Sequence, residues 1–135
     1  MKHLKLALIQ GFIIMIAMPL FLHGQDDLAL PYHTIPETPG SFTEHTVAAR
    51  MVDGLGFRYY WATEGLREND LAYAPGPESR SSLETLEHIH GLCSVLLNGL
   101  IGKPNTRSDR ETRSFETLRQ ETLSMIKAAS DELKI

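Results

Sequence analysis

Three stretches of this sequence combine a helix-start signal with apolar residues at helical spacing. The signal is a capping box, in which a serine hydroxyl accepts from the backbone amide three residues on and a glutamate there reaches back to the serine amide. Such boxes stand at Ser41–Glu44, Ser81–Glu84 and Ser108–Glu111. Each precedes an apolar pattern of period 3.6, and no segment competes as a strand. The sequence therefore predicts an all-α fold with three long helices.

The predicted helices run from Phe42 to Glu64, from Ser82 to Ile101 and from Asp109 to the C-terminus. The stripe expected to be buried on the first helix consists of Val47, Ala48, Met51, Val52, Leu55, Tyr59 and Ala62. The main stripe of the second helix consists of Leu86, Ile89, Cys93, Leu96, Leu97 and Leu100, and that of the third consists of Phe115, Leu118, Thr122, Met125, Ile126, Ala129 and Leu133.

The second helix also carries Leu92 and Val95 on its far side, so we expect it to lie deep within a bundle. The linkers between helices are Arg67–Arg80 and Gly102–Arg107. Short connections between long amphipathic helices favour antiparallel neighbours. The stripe of the third helix still runs near Ile135, which predicts a bundle whose closing helix is absent.

Residues 1–24 have the composition of a secretory signal peptide. Lys2 and Lys5 give a basic start, residues 6–22 are almost wholly apolar, and Gly24 offers a small residue at a cleavage site. The alternative is an uncleaved membrane anchor, but about 17 residues interrupted by Pro19 are short for a span of roughly 20. We therefore expect an exported protein, periplasmic or extracellular, without stable membrane association after cleavage.

Residues 25–40 are rich in proline and predict an extended arm that leads into a helical domain over residues 41–135. The sequence does not show whether the arm packs on the helices. Removing residues 1–24 takes the formal net charge from −4 to −6 because Lys2 and Lys5 are lost and no acid is. A mildly acidic chain whose basic residues are scattered lacks the clustered positive charge that nucleic-acid binding requires.

Cys93, the one cysteine, has apolar neighbours. A cysteine in such a setting is more often a small core residue than a nucleophile.

The densest metal-capable chemistry lies in the second predicted helix, around His88 and His90. Two residues on a helix are about 200° apart, so these histidines do not bind one ion together. His90 falls on the main apolar stripe, whereas His88 falls on the far side, where Glu84 or Glu87 could orient its ring. For His88 the alternatives to a metal ligand are a satisfied core histidine and a surface histidine.

Other reaction classes have weaker signals. The aromatic run Phe57–Trp61 is better explained by packing than by ligand binding. The serines at positions 79, 81 and 82 are better explained as part of a helix start than as catalytic nucleophiles. The chain has no HExxH motif, no nucleophile elbow and no glycine-rich phosphate loop.

Three segments carry a family resemblance: Gly54–Leu66, Asp70–Tyr73 and Thr85–Ile89 resemble exported DinB-like proteins. The similarity covers roughly residues 30–133 and is weakest in the third helix. It implies a four-helix bundle with a long crossover that holds a divalent ion of the zinc or nickel type. Three histidines are implied as ligands, one on the second helix and two at i, i+4 on the fourth. The second-helix position falls on His88, and His90 matches no ligand position.

The sequence departs from the family pattern because it contains no histidine pair at i, i+4. A single imidazole does not hold zinc or nickel against water with useful affinity. The resemblance thus predicts an incomplete DinB-like bundle with a partial metal site at His88 and no tightly bound ion.

Three functions remain open. Intact relatives would be metal-dependent hydrolases or transferases, with His88 as one ligand, and whether this chain is an enzyme is uncertain. A second hypothesis is a non-catalytic module that docks another chain, or a second copy, through exposed apolar helix faces. A third is an inactive fragment. The substrate and reaction are not indicated by the sequence.

Overall fold

A computed structural model describes residues 29–106 and 113–135 of the chain. Within these ranges the protein has four α-helices and no strand. We label them α1 (Glu44–Thr63), α2 (Glu68–Ala72), α3 (Ser82–Leu100) and α4 (Phe115–Glu132). The all-α prediction is confirmed, and α1, α3 and α4 are the three long helices. The five-residue α2 lies in the segment predicted to be a linker. The predicted signal peptide and the capping box at Ser108–Glu111 lie outside the described ranges.

Two helix starts test the capping predictions. At α3 the prediction is confirmed, because the Glu84 amide donates to Ser81 Oγ over 3.1 Å and the Ser81 amide donates to Glu84 Oε2 over 2.8 Å. At α1 the prediction of Ser41 as the cap is wrong. Thr43 caps this helix and exchanges both capping bonds with Thr46, whose hydroxyl also donates to the Ser41 carbonyl. Thr43 and Thr46 thus form a capping box that begins two residues after the predicted cap, Ser41.

Helix α4 is the centre of the bundle, because it packs against both α1 and α3. Its predicted stripe is confirmed, with Leu118, Ile126 and Ala129 buried. The helix runs antiparallel to α1, since Ser130 contacts Asp53 near one end of the pair and Arg119 contacts Thr63 near the other. Full burial of a leucine or isoleucine contributes about 1.5–3 kcal/mol relative to exposure, so α4 carries much of the core stability.

The buried face of α1 differs from the predicted one. Its buried residues are Ala49, Asp53, Gly56, Tyr59 and Thr63. Met51 in the predicted stripe is 73% exposed, and Val47 and Leu55 are also exposed. Apolar spacing missed this face because Asp53 and Thr63 are polar residues whose bonding groups are satisfied by the arm and by α4.

The extended arm packs on α1. Tyr32 is buried, and its ring lies so close to Gly56 that a Cβ at position 56 would stand 2.4 Å from two ring carbons. Tyr32 has a φ of 73°, an uncommon left-handed conformation for a large side chain, which the packing of its ring offsets. Further along the arm, the Pro36 carbonyl accepts from Arg50 Nη1 over 2.5 Å.

The prediction that α3 lies deep within the bundle is wrong for the part of the chain that the structure describes. Only Leu86 and Cys93 are buried on this helix. Leu92 is 54% exposed and Val95 51% exposed, because both lie on the side away from α4. No helix in the described ranges is both long and apolar enough to cross a bilayer.

Candidate functional site

His88 lies on the exposed side of α3, one turn before Leu92. The structure therefore places it at the surface and not in the core. Among the described residues no hydrogen bond or ion pair engages its ring. Glu84, one turn earlier, accepts from the Ser81 amide and helps to begin the helix. His88 thus presents a solvent-accessible imidazole at the edge of an apolar surface.

The described residues do not complete a metal site around His88. Nowhere in residues 29–106 or 113–135 do three His, Cys, Asp or Glu side chains group so as to hold an ion. Zinc in proteins takes three or four protein ligands. The donor set therefore does not fit a bound ion, and His88 remains a predicted ligand without partners in this part of the chain.

His90 lies on the opposite side of α3 and faces α4. Its Nε2 is 3.0 Å from Glu121 Oε2, and Arg113 Nε is 2.9 Å from the same oxygen. Glu121 Oε2 already contacts both the His90 ring and the positively charged Arg113 guanidinium, so binding of a metal cation next to His90 is disfavoured. His90 is a structural contact between α3 and α4.

The other described histidines lie away from His88. His45 is exposed in the first turn of α1, with Nε2 3.9 Å from Glu44 Oε1. His33 of the arm packs against Tyr60 and Trp61, with ring centroids 5.5 and 5.3 Å apart. His3 and His23 lie outside the described ranges. No second described histidine stands beside His88, so the structure brings no imidazole pair together within one chain.

Arg119 joins α4 to the end of α1. Its Nε donates to Thr63 Oγ1 over 2.9 Å, and Nη2 donates to the Tyr60 carbonyl over 3.2 Å and to the Glu64 carboxylate. The guanidinium also lies 4.5 Å from the centroid of the Tyr60 ring. The aromatic run is thus tied into the fold, as the packing interpretation predicts, although Trp61 at its end is 49% exposed.

A buried polar cluster surrounds Asp53, which is 1% exposed. Its Oδ1 accepts from Tyr32 Oη over 3.0 Å and from Ser130 Oγ over 2.6 Å, and its Oδ2 lies 3.1 Å from Lys134 Nζ. These bonds join the arm, α1 and the end of α4. Sequence reasoning missed the cluster, because the partners of Asp53 lie 21, 77 and 81 residues from it in the chain and form no local motif with it.

The environment of the cluster shifts two pKa values. Burial alone would raise the pKa of the Asp53 carboxyl, but hydrogen bonds from Ser130, Lys134 and Tyr32 outweigh it and lower that pKa. Burial, together with the neighbouring Asp53 charge, raises the pKa of Tyr32. Asp53 is therefore ionised and Tyr32 neutral at pH 7. Since all three partners are already bonded to it, the carboxylate has a structural role and is not poised as a catalytic base.

Cys93 is buried, as predicted, and burial raises the pKa of its thiol. A buried thiol with a raised pKa is a poor nucleophile at neutral pH. The hydroxyl of Tyr59 is also buried and has no hydrogen-bond partner within the described ranges. Burial raises the pKa of this hydroxyl. Neither group opens to solvent, so neither is a candidate for catalysis.

Comparisons with protein-family models, with curated proteins and with solved structures found no match to this chain.

Proposed function

We propose that this chain is an exported DinB-like helical bundle in which His88 is one ligand of a divalent-metal site. The proposal starts from the resemblance carried by Gly54–Leu66 and Thr85–Ile89, which puts His88 at the ligand position of the second long helix. Its main structural support is the contrast between two histidines on α3. His90 is engaged by Glu121, whereas the ring of His88 is exposed and has no partner among the described residues.

The surroundings of His88 fit a site that is completed by another helix. Leu92 and Val95 continue the same side of α3 and are about half exposed. Adjacent exposed apolar side chains can mark a surface on which another element packs. A helix that covered them would bring its own side chains next to His88 and could supply the remaining metal ligands.

A zinc-type ion bound there would act as a Lewis acid that activates water or a thiol for hydrolysis or group transfer. The part played by this chain is to hold one imidazole on a rigid helix. The capping box at Ser81 and the packing of Leu86 and Cys93 fix that helix in place.

Calorimetric titration of the dilute full chain with zinc tests the proposal. Added alone, zinc should bind weakly, because one imidazole is insufficient. Together with a synthetic amphipathic peptide that carries two histidines at i, i+4, zinc should bind tightly. His88→Ala should abolish that binding, whereas His45→Ala, which removes another exposed histidine, should leave it unchanged. Equal zinc affinity in the wild type and in His88→Ala would overturn the proposal.

A second candidate function is the docking of another chain without catalysis. The observation that favours it is the exposed row Val47, Met51 and Leu55 on α1, in addition to the exposed side of α3. Light scattering over a range of concentrations should then show a rising mean mass, which Met51→Glu should lower. A constant monomer mass at every concentration would contradict this function.

A further inference from the structure

The arm is attached to the bundle by a small number of contacts within residues 30–36, which we call the strap. Tyr32 packs on a glycine of α1 and bonds to the buried Asp53. His33 packs against two rings of α1, and the Pro36 carbonyl accepts from an arginine of α1. Among the described residues, no backbone–backbone hydrogen bond joins the strap to a helix. The strap is therefore held mainly through side chains, and Tyr32 is its one buried residue.

The Tyr32 ring fits a notch that exists because residue 56 has no side chain. A Cβ added to Gly56 would stand 2.4 Å from two carbons of the ring, so the ring lies directly on the α1 backbone. Tyr32 also has a φ of 73°, and a bulky residue keeps that strained conformation only where surrounding contacts impose it. When the ring leaves the notch, the backbone at Tyr32 is free to relax. Because the fit is this close, the ring is either inserted or withdrawn, which gives two discrete states.

The contact between α1 and α4 is also made at points that do not involve the strap. Asp53 accepts from Ser130 and Lys134 as well as from Tyr32, so it keeps two of its three bonds when the ring withdraws. The far end of the same helix pair is joined by Arg119. We therefore expect α1 and α4 to remain together when the strap leaves.

A short linker, residues 37–40, joins the strap to the start of α1. Three of its four residues are exposed, and a Cβ on Gly40 would meet nothing within 4 Å. Helix α1 begins independently of the strap, because Thr43 and Thr46 form its capping box. Movement of the strap therefore leaves the start of the helix in place.

We propose that the strap opens as a unit, with the Tyr32 ring withdrawn from Gly56, while α1, α3 and α4 stay packed. The closed form predominates, because opening removes one of the three bonds to the buried Asp53 carboxylate. Opening uncovers a strip of α1 from Gly56 to Trp61, which Tyr32 and His33 contact in the closed form. A segment with few buried contacts opens at a lower free energy than the whole domain unfolds. Opening of the strap does not involve the proposed metal site.

Limited proteolysis of the full chain with chymotrypsin, which cleaves after aromatic residues, tests the opening of the strap. Cleavage after Tyr32 requires an open strap, since Tyr32 is 4% exposed in the closed form, and a new N-terminus at His33 identifies the product. When opening and closing are fast relative to cleavage, the cleavage rate follows the open population. That rate should rise with urea much less steeply than the global unfolding constant measured by circular dichroism, because opening exposes little surface. A free peptide of residues 29–38 corrects for the effect of urea on the protease.

Equal steepness of the two urea dependences would overturn the opening of the strap, because cleavage would then require global unfolding. Gly56→Ala should raise the rate of cleavage after Tyr32 about tenfold or more without changing the helix content, since the strap can no longer close. Gly54→Ala, whose Cβ meets only the end of the Arg58 side chain, should be cleaved at the wild-type rate. Tyr32→Phe keeps the ring and the cleavage site but loses the bond to Asp53, so it should also be cleaved faster. Loss of helix content in Gly56→Ala, or an unchanged rate in Tyr32→Phe, would contradict opening of the strap from a packed bundle.

Discussion

The hydroxyl of Tyr32 donates to Oδ1 of Asp53 over 3.0 Å, and this bond connects the N-terminal arm to the interior of the bundle. Ser130 and Lys134 bind the same carboxylate from the end of α4. Asp53 therefore holds together three segments that are distant in sequence. Because a buried carboxylate is costly without partners, the arm is a required part of the folded domain.

Tyr32→Phe should lower the free energy of unfolding by about 1–3 kcal/mol. The variant keeps the ring against Gly56 but removes a hydrogen bond to a buried charge. Tyr73→Phe is the control, since Tyr73 is an exposed tyrosine and its change should stay within about 0.5 kcal/mol. Urea denaturation followed by circular dichroism measures both. Equal stability of Tyr32→Phe and the wild type would show that the Tyr32 bond contributes nothing.

Gly56→Ala should detach the arm from α1. The new Cβ would stand 2.4 Å from the Tyr32 ring, which is far inside contact distance, so the ring must leave. His33 would then lose its contact with Trp61, the one tryptophan of the chain, and Trp61 fluorescence should change. Gly54→Ala is the matched control, because its Cβ meets only the mobile end of the Arg58 side chain at 3.2 Å. Identical fluorescence in the two variants would contradict the docking of the arm.

Stability should fall in acid through Asp53. Its folded-state pKa is lower than the unfolded value of about 3.9, so its contribution is fully present above that value and is lost as pH falls through the folded pKa. Asp53→Asn should be less stable near neutral pH and should lose less stability than the wild type on going below about pH 4. Urea denaturation across this range measures the difference. If the free energy of unfolding fell equally with pH in the wild type and in Asp53→Asn, the contribution assigned to Asp53 would be contradicted.

Arg119→Met should destabilise the protein by about 1.5–3 kcal/mol. The variant keeps the length of the side chain but removes the donors to Thr63, Tyr60 and Glu64, and it leaves the buried Thr63 hydroxyl without that partner. Arg58→Met is the control, since Arg58 is exposed and donates over 3.3 Å to a carbonyl of its own helix. Thermal denaturation compares the two. A larger loss for Arg58→Met would be inconsistent with the network.

Local patterns in the sequence predicted the helices well. The capping box at Ser81 and the apolar stripe of α4 are local features, and both are confirmed. The face of α1 was mispredicted because apolar spacing does not reveal that a buried Asp53 will be satisfied by Tyr32, Ser130 and Lys134. Partners that lie tens of residues apart give no signal in a helical period.

The surroundings of His88 were only partly predictable from the sequence. Helical geometry correctly separated His88 from His90 by side of the helix, because two residues turn the helix by about 200°. The same geometry could not show that the side carrying Leu92 would remain exposed, since that depends on which helices pack against α3. The role of His88 as a ligand remains a prediction that the fold does not test.

Nuclear magnetic resonance of the histidine ring nitrogens tests most directly whether His88 is the metal-binding histidine, as we propose. Zinc added to the isotope-labelled full chain should shift the ring signals of His88 and leave those of His33, His45 and His90 unchanged. His88→Ala should abolish the response. A shift of His33, His45 or His90 with His88 unaffected would contradict the account, and so would the absence of any zinc-dependent shift at high chain concentration.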